Sequence, residues 1–376
     1  MSAMPRPKIA FLITESWYFL SHRRALADAC KVAGWEPVLI ANVAEKDRPR
    51  LADIRVVALD MRRASRHLMR ELATLWRIIA ILRRERPDVL HAVGLKPVLY
   101  GSVAARLLGL NAVCALAGLG YLFTSGTLWA QLIRRGVVLW LRLAFDSPRV
   151  RVIVQNDDDA RHLIAHGVAR EVALIRGSGV DLDYFQPMPE PDGMPVFVVV
   201  ARMLADKGIR ELVLAARMLH WRGIPCRVRL VGEPDAHNLS SLTERDLSQW
   251  ANEGIIEWAG FQSDVRAIWR DAHVCILPSY REGLPKSLLE AAACGRPIIT
   301  TDVPGCRDVV TNEVEGLVVP ARDWLALAQA MERLALDADL RRRMGPAARR
   351  RVEQNFGQDN VIEQTMAVYR GILDKP

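Results

Sequence analysis

The feature that most constrains the fold is a repeated alternation of short Val/Ile/Leu-rich runs with longer segments of helical spacing. Such runs are typical of parallel strands that are buried on both faces, with the intervening helices covering the sheet. The alternation occurs once in each half of the chain. The apolar runs that we predict as strands are 9–14, 37–41, 55–59, 89–92, 112–116 and 150–154 in the first half, and 196–201, 227–231, 255–258, 274–278, 297–301 and 316–319 in the second.

The two halves are separated by residues 177–195, a Gly- and Pro-rich segment without either period, which is typical of a linker. A chain of 376 residues also exceeds what one hydrophobic core usually serves. We therefore predict an α/β protein of two Rossmann-like, doubly wound parallel-sheet domains that face a cleft. The predicted domains are 1–176 and 196–357, with a C-terminal helix at 358–376 packing back on the first domain.

The charge of the chain is divided unevenly between its halves. Residues 1–175 carry a net charge of +11 and the remainder −3, and no acidic residue occurs between Asp88 and Asp146. A basic excess favours a nucleic acid, an anionic membrane surface or a phosphorylated substrate as partner. No apolar run reaches the roughly 18 residues that cross a bilayer, and the N-terminal run is too short for a signal peptide. These patterns predict a cytoplasmic protein without a transmembrane helix.

Residues 277–302, which read LPSYREGLPKSLLEAAACGRPIITTD, form the most informative motif. We interpret them as a strand, a tight turn, a helix and a second strand, with Pro285 in the first helical turn and Gly295 at the C-terminal cap. Glu282 lies in the turn and Glu290 in the helix, so that each carboxylate could hold a pair of hydroxyls on either side of a diphosphate. The alternative is a glutamate that favours the helix dipole and a solvated mid-helix glutamate.

Two cations follow the first strand of the second half. Arg202 lies on the loop after that strand, and Lys207 lies at the start of the next helix. This pair suits the two negative groups of a nucleotide diphosphate, although a solvated loop pair remains the alternative. A G-x-G-x-x-G sequence is absent after the first strand of the chain, which counts against a dinucleotide cofactor. The six cysteines include no CxxC pair and are predicted to be reduced core thiols and not metal ligands.

In this order, Arg202, Lys207 and the E-x7-E pair of Glu282 and Glu290 resemble glycosyltransferase family 4, the retaining enzymes of the GT-B fold. The resemblance implies that Arg202 and Lys207 bind the donor's diphosphate, that Glu290 holds the ribose and that Glu282 holds the transferred sugar. Glu282, Arg202 and Lys207 are then the catalytic candidates, and the reaction needs neither a metal ion nor another cofactor. The other donor-binding positions that the resemblance implies are Gly283, Leu284, Pro285, Gly232, Glu233 and Phe261.

The first half also resembles the family, on its acceptor side. The segments FLSHRRALADACKVAGWEPVLIA and LHAVGLKPVLYG supply the acceptor-binding candidates His22, Arg24, His91 and Lys96. For the two histidines, a purely local hydrogen bond is an equally open alternative. Together with residues 117–126, both halves most resemble the bacterial subgroup that extends undecaprenyl-diphosphate-linked sugars, and within it the N-acetylgalactosaminyl transferases acting on diphospho-undecaprenol-linked bacillosamine. This implies a UDP-sugar donor and a polyprenyl-diphosphate-linked acceptor.

A hydrophobic acceptor would also account for the segment 128–145. Its sequence LWAQLIRRGVVLWLRLAF predicts an acid-free helix suited to an anionic membrane interface, and residues 62–86 form a second basic amphipathic candidate. The alternative is a pair of helices that pack on the sheet with their arginines in water. The membrane-facing candidates are Trp129, Arg134, Arg135, Trp140 and Arg142. We expect peripheral binding at the inner face of the plasma membrane.

Two other classes of function remain open from the sequence. One is a nucleotide-sugar epimerase or another GT-B enzyme with a soluble substrate. The other is a non-catalytic basic protein that binds nucleic acid, although no recognition motif with interleaved aromatic and basic residues supports it.

Overall fold

The computed structural model describes residues 6–61, 68–118, 128–235, 238 and 240–374. The chain divides into two compact units. The first unit comprises Met1–Ser178 with Asn360–Pro376, and the second comprises Gly179–Asp359. Each unit is built on one sheet of parallel strands with helices between them, so the predicted α/β class is confirmed.

The first unit holds a seven-stranded sheet in the order β3-β2-β1-β4-β5-β6-β7. Its strands are β1 (Lys8–Glu15), β2 (Glu36–Asn42), β3 (Arg55–Ala58), β4 (Val89–Val93), β5 (Asn111–Leu116), β6 (Val150–Val154) and β7 (Ala173–Leu174). Its helices are α1 (Ser16–His22), α2 (Arg24–Val32), α3 (Leu68–Glu85), α4 (Leu95–Leu108), α5 (Leu128–Phe145) and α6 (Asp157–Ala165), with a 3-10 helix at Glu45–Leu51. The six apolar runs of this half all form strands, and among the strands in the described residues of this unit only the two-residue β7 was not predicted.

The second unit holds a six-stranded sheet in the order β10-β9-β8-β11-β12-β13. Its strands are β8 (Val196–Val200), β9 (Arg227–Val231), β10 (Glu257–Trp258), β11 (Val274–Leu277), β12 (Ile298–Thr301) and β13 (Gly316–Val319). Its helices are α7 (Ile209–Trp221), α8 (Glu244–Asn252), α9 (Val265–Arg270), α10 (Lys286–Ala293), α11 (Cys306–Val309), α12 (Trp324–Leu336) and α13 (Ala338–Asn355). All six predicted strands of this half are present.

The last helix, α14 (Gln358–Leu373), buries one face in the core of the first unit. Val361, Met366 and Tyr369 pack in the same cluster as Ile9 and Phe11 of β1. Spacings of three to five residues bring these side chains to one side of the helix. The C-terminal segment therefore contributes to the core formed by the N-terminal strands.

The segment predicted as a linker lies largely within the second unit. Val180 and Phe185 are buried in its core beside Phe356. The amide of Val180 donates to the carbonyl of Phe356 at 3.0 Å, and the amide of Gln358 donates back to the carbonyl of Val180 at 3.0 Å. The Gly- and Pro-rich composition of 177–195 thus reflects an irregular path over the unit, which starts at 179 and not at 196.

Among the described residues, none of the helices combines the length and hydropathy needed to cross a membrane.

Candidate functional site

The reversal of strand order in the second unit defines where its site forms. β8 and β11 are neighbours at the centre of the sheet, with β9 and β10 on one side and β12 and β13 on the other. In doubly wound sheets, the loops that leave such neighbouring strands diverge and open a crevice at the carboxyl edge. Arg202 lies two residues beyond β8, and the turn with Glu282 lies five residues beyond β11. The sheet therefore brings these two loops together.

Arg202 is placed by backbone contacts between the ends of β8 and β9. The amide of Ala201 donates to the carbonyl of Val231 at 3.1 Å, and the amide of Met203 donates to that of Glu233 at 3.0 Å. Arg202 Nη1 lies 2.5 Å from Asp235 Oδ2, and the two side chains are 37% and 19% exposed. A partly desolvated guanidinium thus stands at the carboxyl edge of the sheet with a carboxylate already bound to it.

Lys207 is positioned by the close approach of α7 to the end of β11. Lys207 ends a 3-10 turn, and Gly208 follows with a φ of +71°. A Cβ on Gly208 would lie 2.1 Å from the carbonyl oxygen of Pro278, so only glycine fits. The resulting approach sets Lys207 Nζ 2.5 Å from Glu282 Oε1. The Lys207 and Glu282 predicted from sequence are therefore in direct contact.

The turn that carries Glu282 is held from two sides. Ser279 Oγ donates to Glu282 Oε1 at 2.6 Å, and the amide of Glu282 donates to the carbonyl of Pro304 at 3.2 Å. Gly305 has a φ of +82°, and a Cβ there would lie 2.5 Å from the carbonyl oxygen of Gly283. Backbone packing therefore fixes both the carboxylate and the turn that leads into α10.

Glu290 projects from α10, which begins after Pro285 as its N-cap. The residue is only 9% exposed, so the alternative of a solvated mid-helix glutamate is wrong. Lys286 Nζ lies 3.8 Å from Glu290 Oε1. Burial raises the pKa of Glu290 from its ordinary 4.5 to about 7, and Lys286 opposes the rise. A carboxyl with this pKa can accept or donate a hydrogen bond near neutral pH.

The predicted nucleotide-pocket residues lie beside Arg202. Gly232 has a φ of +138°, and a Cβ there would lie 1.9 Å from the carbonyl oxygen of Ala201. Trp258 Nε1 donates to the carbonyl of Gly232 at 2.9 Å, and Phe261 is largely exposed. At the other loop, Gly283 and Pro285 are buried and Leu284 packs against the core.

Sequence reasoning missed two side chains of this site, Asp235 and Ser279. Both lie within four residues of the carboxyl end of a strand, and that position was the available signal. Neither residue type is distinctive on its own, because Asp and Ser are common in loops. Only the structure shows that each contacts a residue predicted for the site.

The acceptor-side candidates lie in the first unit and are engaged in local contacts. Arg24 pairs with Asp28 at 2.8 Å and with Asp53 at 2.7 Å, and Lys96 pairs with Glu71 at 2.9 Å. The His22 ring stacks on the ring of Tyr18, with the two centroids 4.2 Å apart.

His91 lies in the middle of β4 and is 1% exposed. Its ring meets the edges of Phe11 and Tyr369, and burial lowers its pKa well below 6.5, so the imidazole is neutral. This placement does not fit direct contact with an acceptor. A residue in the centre of a parallel strand is covered by helices on either face, which explains the burial.

The membrane-facing candidates are described only in part. Arg135, Trp140 and Arg142 are exposed on α5, where Trp140 Nε1 donates to the carbonyl of Leu99 at 3.1 Å and Arg142 Nε to that of His166 at 3.1 Å. The side chains of Trp129 and Arg134 lie outside the described residues, as do residues 62–67 and 119–126.

Two family models match the chain, one in each unit. The model described as "Glycosyl transferase 4-like" matches residues 8–146, and the model described as "Glycosyl transferases group 1" matches residues 181–351. The second match contains Arg202, Lys207, Glu282 and Glu290.

Curated relatives agree with these matches. The chain is 25% identical to the N,N'-diacetylbacillosaminyl-diphospho-undecaprenol alpha-1,3-N-acetylgalactosaminyltransferase of Campylobacter jejuni, over 85% of this chain and 86% of the relative. It is also 25% identical to the UDP-Gal:alpha-D-GlcNAc-diphosphoundecaprenol alpha-1,3-galactosyltransferase of Escherichia coli, over 72% of each.

Solved structures show the same fold. Sucrose-phosphate synthase from Thermosynechococcus elongatus superposes with a TM-score of 0.81 at 21% identity, covering 98% of this chain and 99% of that one. HepE of Anabaena, solved with UDP and glucose, superposes with a TM-score of 0.76 at 16% identity, covering 97% and 100%. The GT-B fold is thereby confirmed. With family models matching both of its units, the chain belongs to the glycosyltransferases, as a 4-like domain joined to a group 1 domain.

Proposed function

We propose that this glycosyltransferase moves an N-acetylhexosamine such as GalNAc from a UDP-sugar onto a polyprenyl-diphosphate-linked saccharide, with retention of configuration, in bacterial surface-glycan or glycoprotein-glycan assembly. The observation that carries the proposal is the convergence of Arg202, Lys207 and Glu282 at the carboxyl edge of one sheet, beside the start of the helix that bears Glu290. The substrate classes are suggested by the names of the Campylobacter and Escherichia relatives.

The geometry supports a distinct role for each of these side chains. Arg202 and Lys207 each already hold a carboxylate oxygen, and a phosphate oxygen accepts charge-assisted hydrogen bonds from the same N–H groups. The positive end of the α10 dipole adds to this attraction for an anion. Glu290 supplies a buried carboxyl for the ribose, and Glu282 a fixed carboxylate for the transferred sugar. Gly232, Glu233 and Phe261 then border the nucleotide.

In the proposed reaction, the acceptor hydroxyl attacks the anomeric carbon on the face from which the diphosphate departs. The bond from that carbon to the diphosphate oxygen breaks and leaves its electron pair on the oxygen, while the new glycosidic bond forms. The departing diphosphate takes up the hydroxyl proton. Arg202 and Lys207 stabilise the charge that develops on the leaving group, and positioning accounts for the rest of the acceleration. We propose that no metal ion takes part.

An exposed face of α3 supports a lipid-linked acceptor. Met69 and Trp76 are exposed on it, Trp76 to 68%, and they alternate along the helix with the exposed Arg70 and Arg77. Apolar and basic side chains on one helix face suit an interface with anionic headgroups. Together with the exposed Trp140 of α5, this face supports peripheral binding at the inner surface of the plasma membrane.

The proposal is tested by incubating the protein with a panel of nucleotide sugars and polyprenyl-diphosphate-linked acceptors. The nucleotide sugar that supports transfer identifies the sugar, product mass confirms its addition, and NMR identifies the anomeric configuration. We expect transfer from a UDP-N-acetylhexosamine with the donor's configuration retained. Inversion would contradict the retaining mechanism, and transfer to soluble acceptors alone would contradict the lipid-linked one.

The donor site is tested by Lys207→Ala and Glu282→Ala. We expect each to lower kcat/KM by about two to four orders of magnitude, as loss of a transition-state contact does. Glu253→Gln is the matched control, because Glu253 forms an equally short ion pair with Arg217 at 2.5 Å within the same unit. Wild-type rates in either site variant would contradict the assignment.

A further inference from the structure

Asp235 forms an ion pair with Arg202, and it has no role in the proposed function so far. Arg202 Nη1 lies 2.5 Å from Asp235 Oδ2. Among the described residues, the guanidinium uses only this nitrogen in a hydrogen bond. An arginine carries five N–H donors, so Arg202 keeps donors for a second anion while Asp235 is bound.

The loop that carries Asp235 is fastened to the loop that carries the cations. The amide of Asp235 donates to Ser241 Oγ at 2.9 Å. Ser240 Oγ donates to Asp206 Oδ1 at 2.5 Å, and the carbonyl of Ser240 accepts from the amide of Ala205 at 2.7 Å. Ala205 and Asp206, which the Ser240 bonds reach, lie between Arg202 and Lys207 in the chain. These contacts hold the backbone of Asp235 close to the loop of Arg202, so that the carboxylate stays within reach of the guanidinium.

We propose that Asp235 is a built-in counter-ion that competes with the donor's diphosphate for Arg202. This inference rests on the proposed role of Arg202 in diphosphate binding. When the site is empty, Asp235 neutralises Arg202. When a nucleoside diphosphate binds, its oxygens must share or take the guanidinium while a fixed negative charge stays close by, and like charges in a partly desolvated site repel. Asp235 then resumes its place as the nucleoside diphosphate leaves.

The consequence is weaker nucleotide binding and faster product release. Asp235→Asn removes the negative charge and keeps the size of the side chain. We expect it to lower the Kd of UDP about twofold to fivefold, in the range of a partly exposed charge pair, and to slow UDP dissociation. KM for the donor falls with it. A purely structural role would give the opposite sign, because a disordered loop would raise both Kd and KM.

The experiment is calorimetric titration of the full chain with UDP, together with kcat and KM for the donor. Asp235→Asn is compared with wild type and with Glu253→Gln, which removes a charge from an ion pair of the same length between other elements of the unit. We expect tighter binding only in Asp235→Asn, and a difference from wild type that shrinks as salt rises. An unchanged or higher Kd in Asp235→Asn overturns the proposal.

A third variant separates this inference from the proposed function. Arg202→Gln should weaken UDP binding if the donor site is assigned correctly. Weaker binding in Arg202→Gln without tighter binding in Asp235→Asn would overturn the counter-ion alone. Unchanged UDP binding in Arg202→Gln, or no binding by wild type, would overturn the donor site and the counter-ion with it.

Discussion

Burial of Glu290 predicts a stability that depends on pH. The carboxyl is 9% exposed, and its pKa is raised from 4.5 to about 7 because burial penalises the charged form. The folded protein therefore binds a proton here more tightly than the unfolded chain does. Below pH 4.5 the carboxyl is protonated in both the folded and the unfolded state, and its contribution to stability is fully present. That contribution is lost as pH rises through about 7.

Glu290→Gln removes this dependence and keeps the size of the side chain. The interval between 4.5 and about 7 corresponds to about 3 kcal/mol at about 1.4 kcal/mol per pH unit. We expect the variant and wild type to be equally stable near pH 4.5. The free energy of unfolding of the variant should exceed that of wild type by about 3 kcal/mol at pH 8, with donor binding weakened at the same time.

The assay is urea unfolding at several pH values between 4.5 and 8, with the unfolded fraction measured by pulsed hydrogen exchange and mass spectrometry. Peptides from β8 and β11 report on the second unit alone, so unfolding of the first unit does not interfere. Glu253→Gln serves as control, because hydrogen bonding by Arg217 lowers the pKa of Glu253 and this exposed variant should gain nothing at high pH. A stability difference for Glu290→Gln that is the same at both ends of the pH range would refute the reasoning.

Three further predictions follow from the backbone, the surface and the proposed chemistry. Gly208→Ala should destabilise the second unit by more than about 2 kcal/mol in urea, because its Cβ would meet the Pro278 oxygen at 2.1 Å, whereas Gly254→Ala, with a similar φ of +72° and open space, should cost about 1 kcal/mol. Trp76→Ser should reduce cosedimentation with anionic vesicles severalfold, while Trp221→Ser, 87% exposed on the second unit, should leave it unchanged. Transferase activity should persist in excess EDTA, and its loss with recovery on adding Mg²⁺ would refute the metal-independent reaction.

Most of the sheet architecture could be predicted because parallel strands leave a local signal. A strand buried on both faces is a short apolar run, and all twelve such runs form strands. The two-residue β7 is too short to leave a pattern. Residues 177–195 were misjudged as a separate linker because Gly and Pro content predicts irregular backbone but not whether Val180 and Phe185 pack into a core.

The candidate site could be predicted as a set of residues but not as a set of contacts. Arg202, Lys207 and Glu282 follow strands that lie side by side, so their convergence follows from topology. The pairing of Arg202 with Asp235 depends on the path of two loops, which no local pattern records. The burial of His91 was open to prediction, since it interrupts the apolar run of β4, a strand with helices on both faces.

The charges of the proposed donor site help to explain the basic excess of the chain. Arg202 and Lys207 are balanced by Asp235 and Glu282, so these four side chains sum to no net charge. If the proposed site binds a diphosphate, the attraction then comes from exchanging carboxylates for phosphates and from the start of α10, and not from a general positive field. The net charge of +11 belongs instead to residues 1–175, where Arg70 and Arg77 are exposed beside Trp76. A long-range positive field attracts a partner that is itself an extended anionic surface. A site whose cations are already paired with carboxylates selects its ligand by geometry instead. This division of charge favours a membrane as the partner of the first unit.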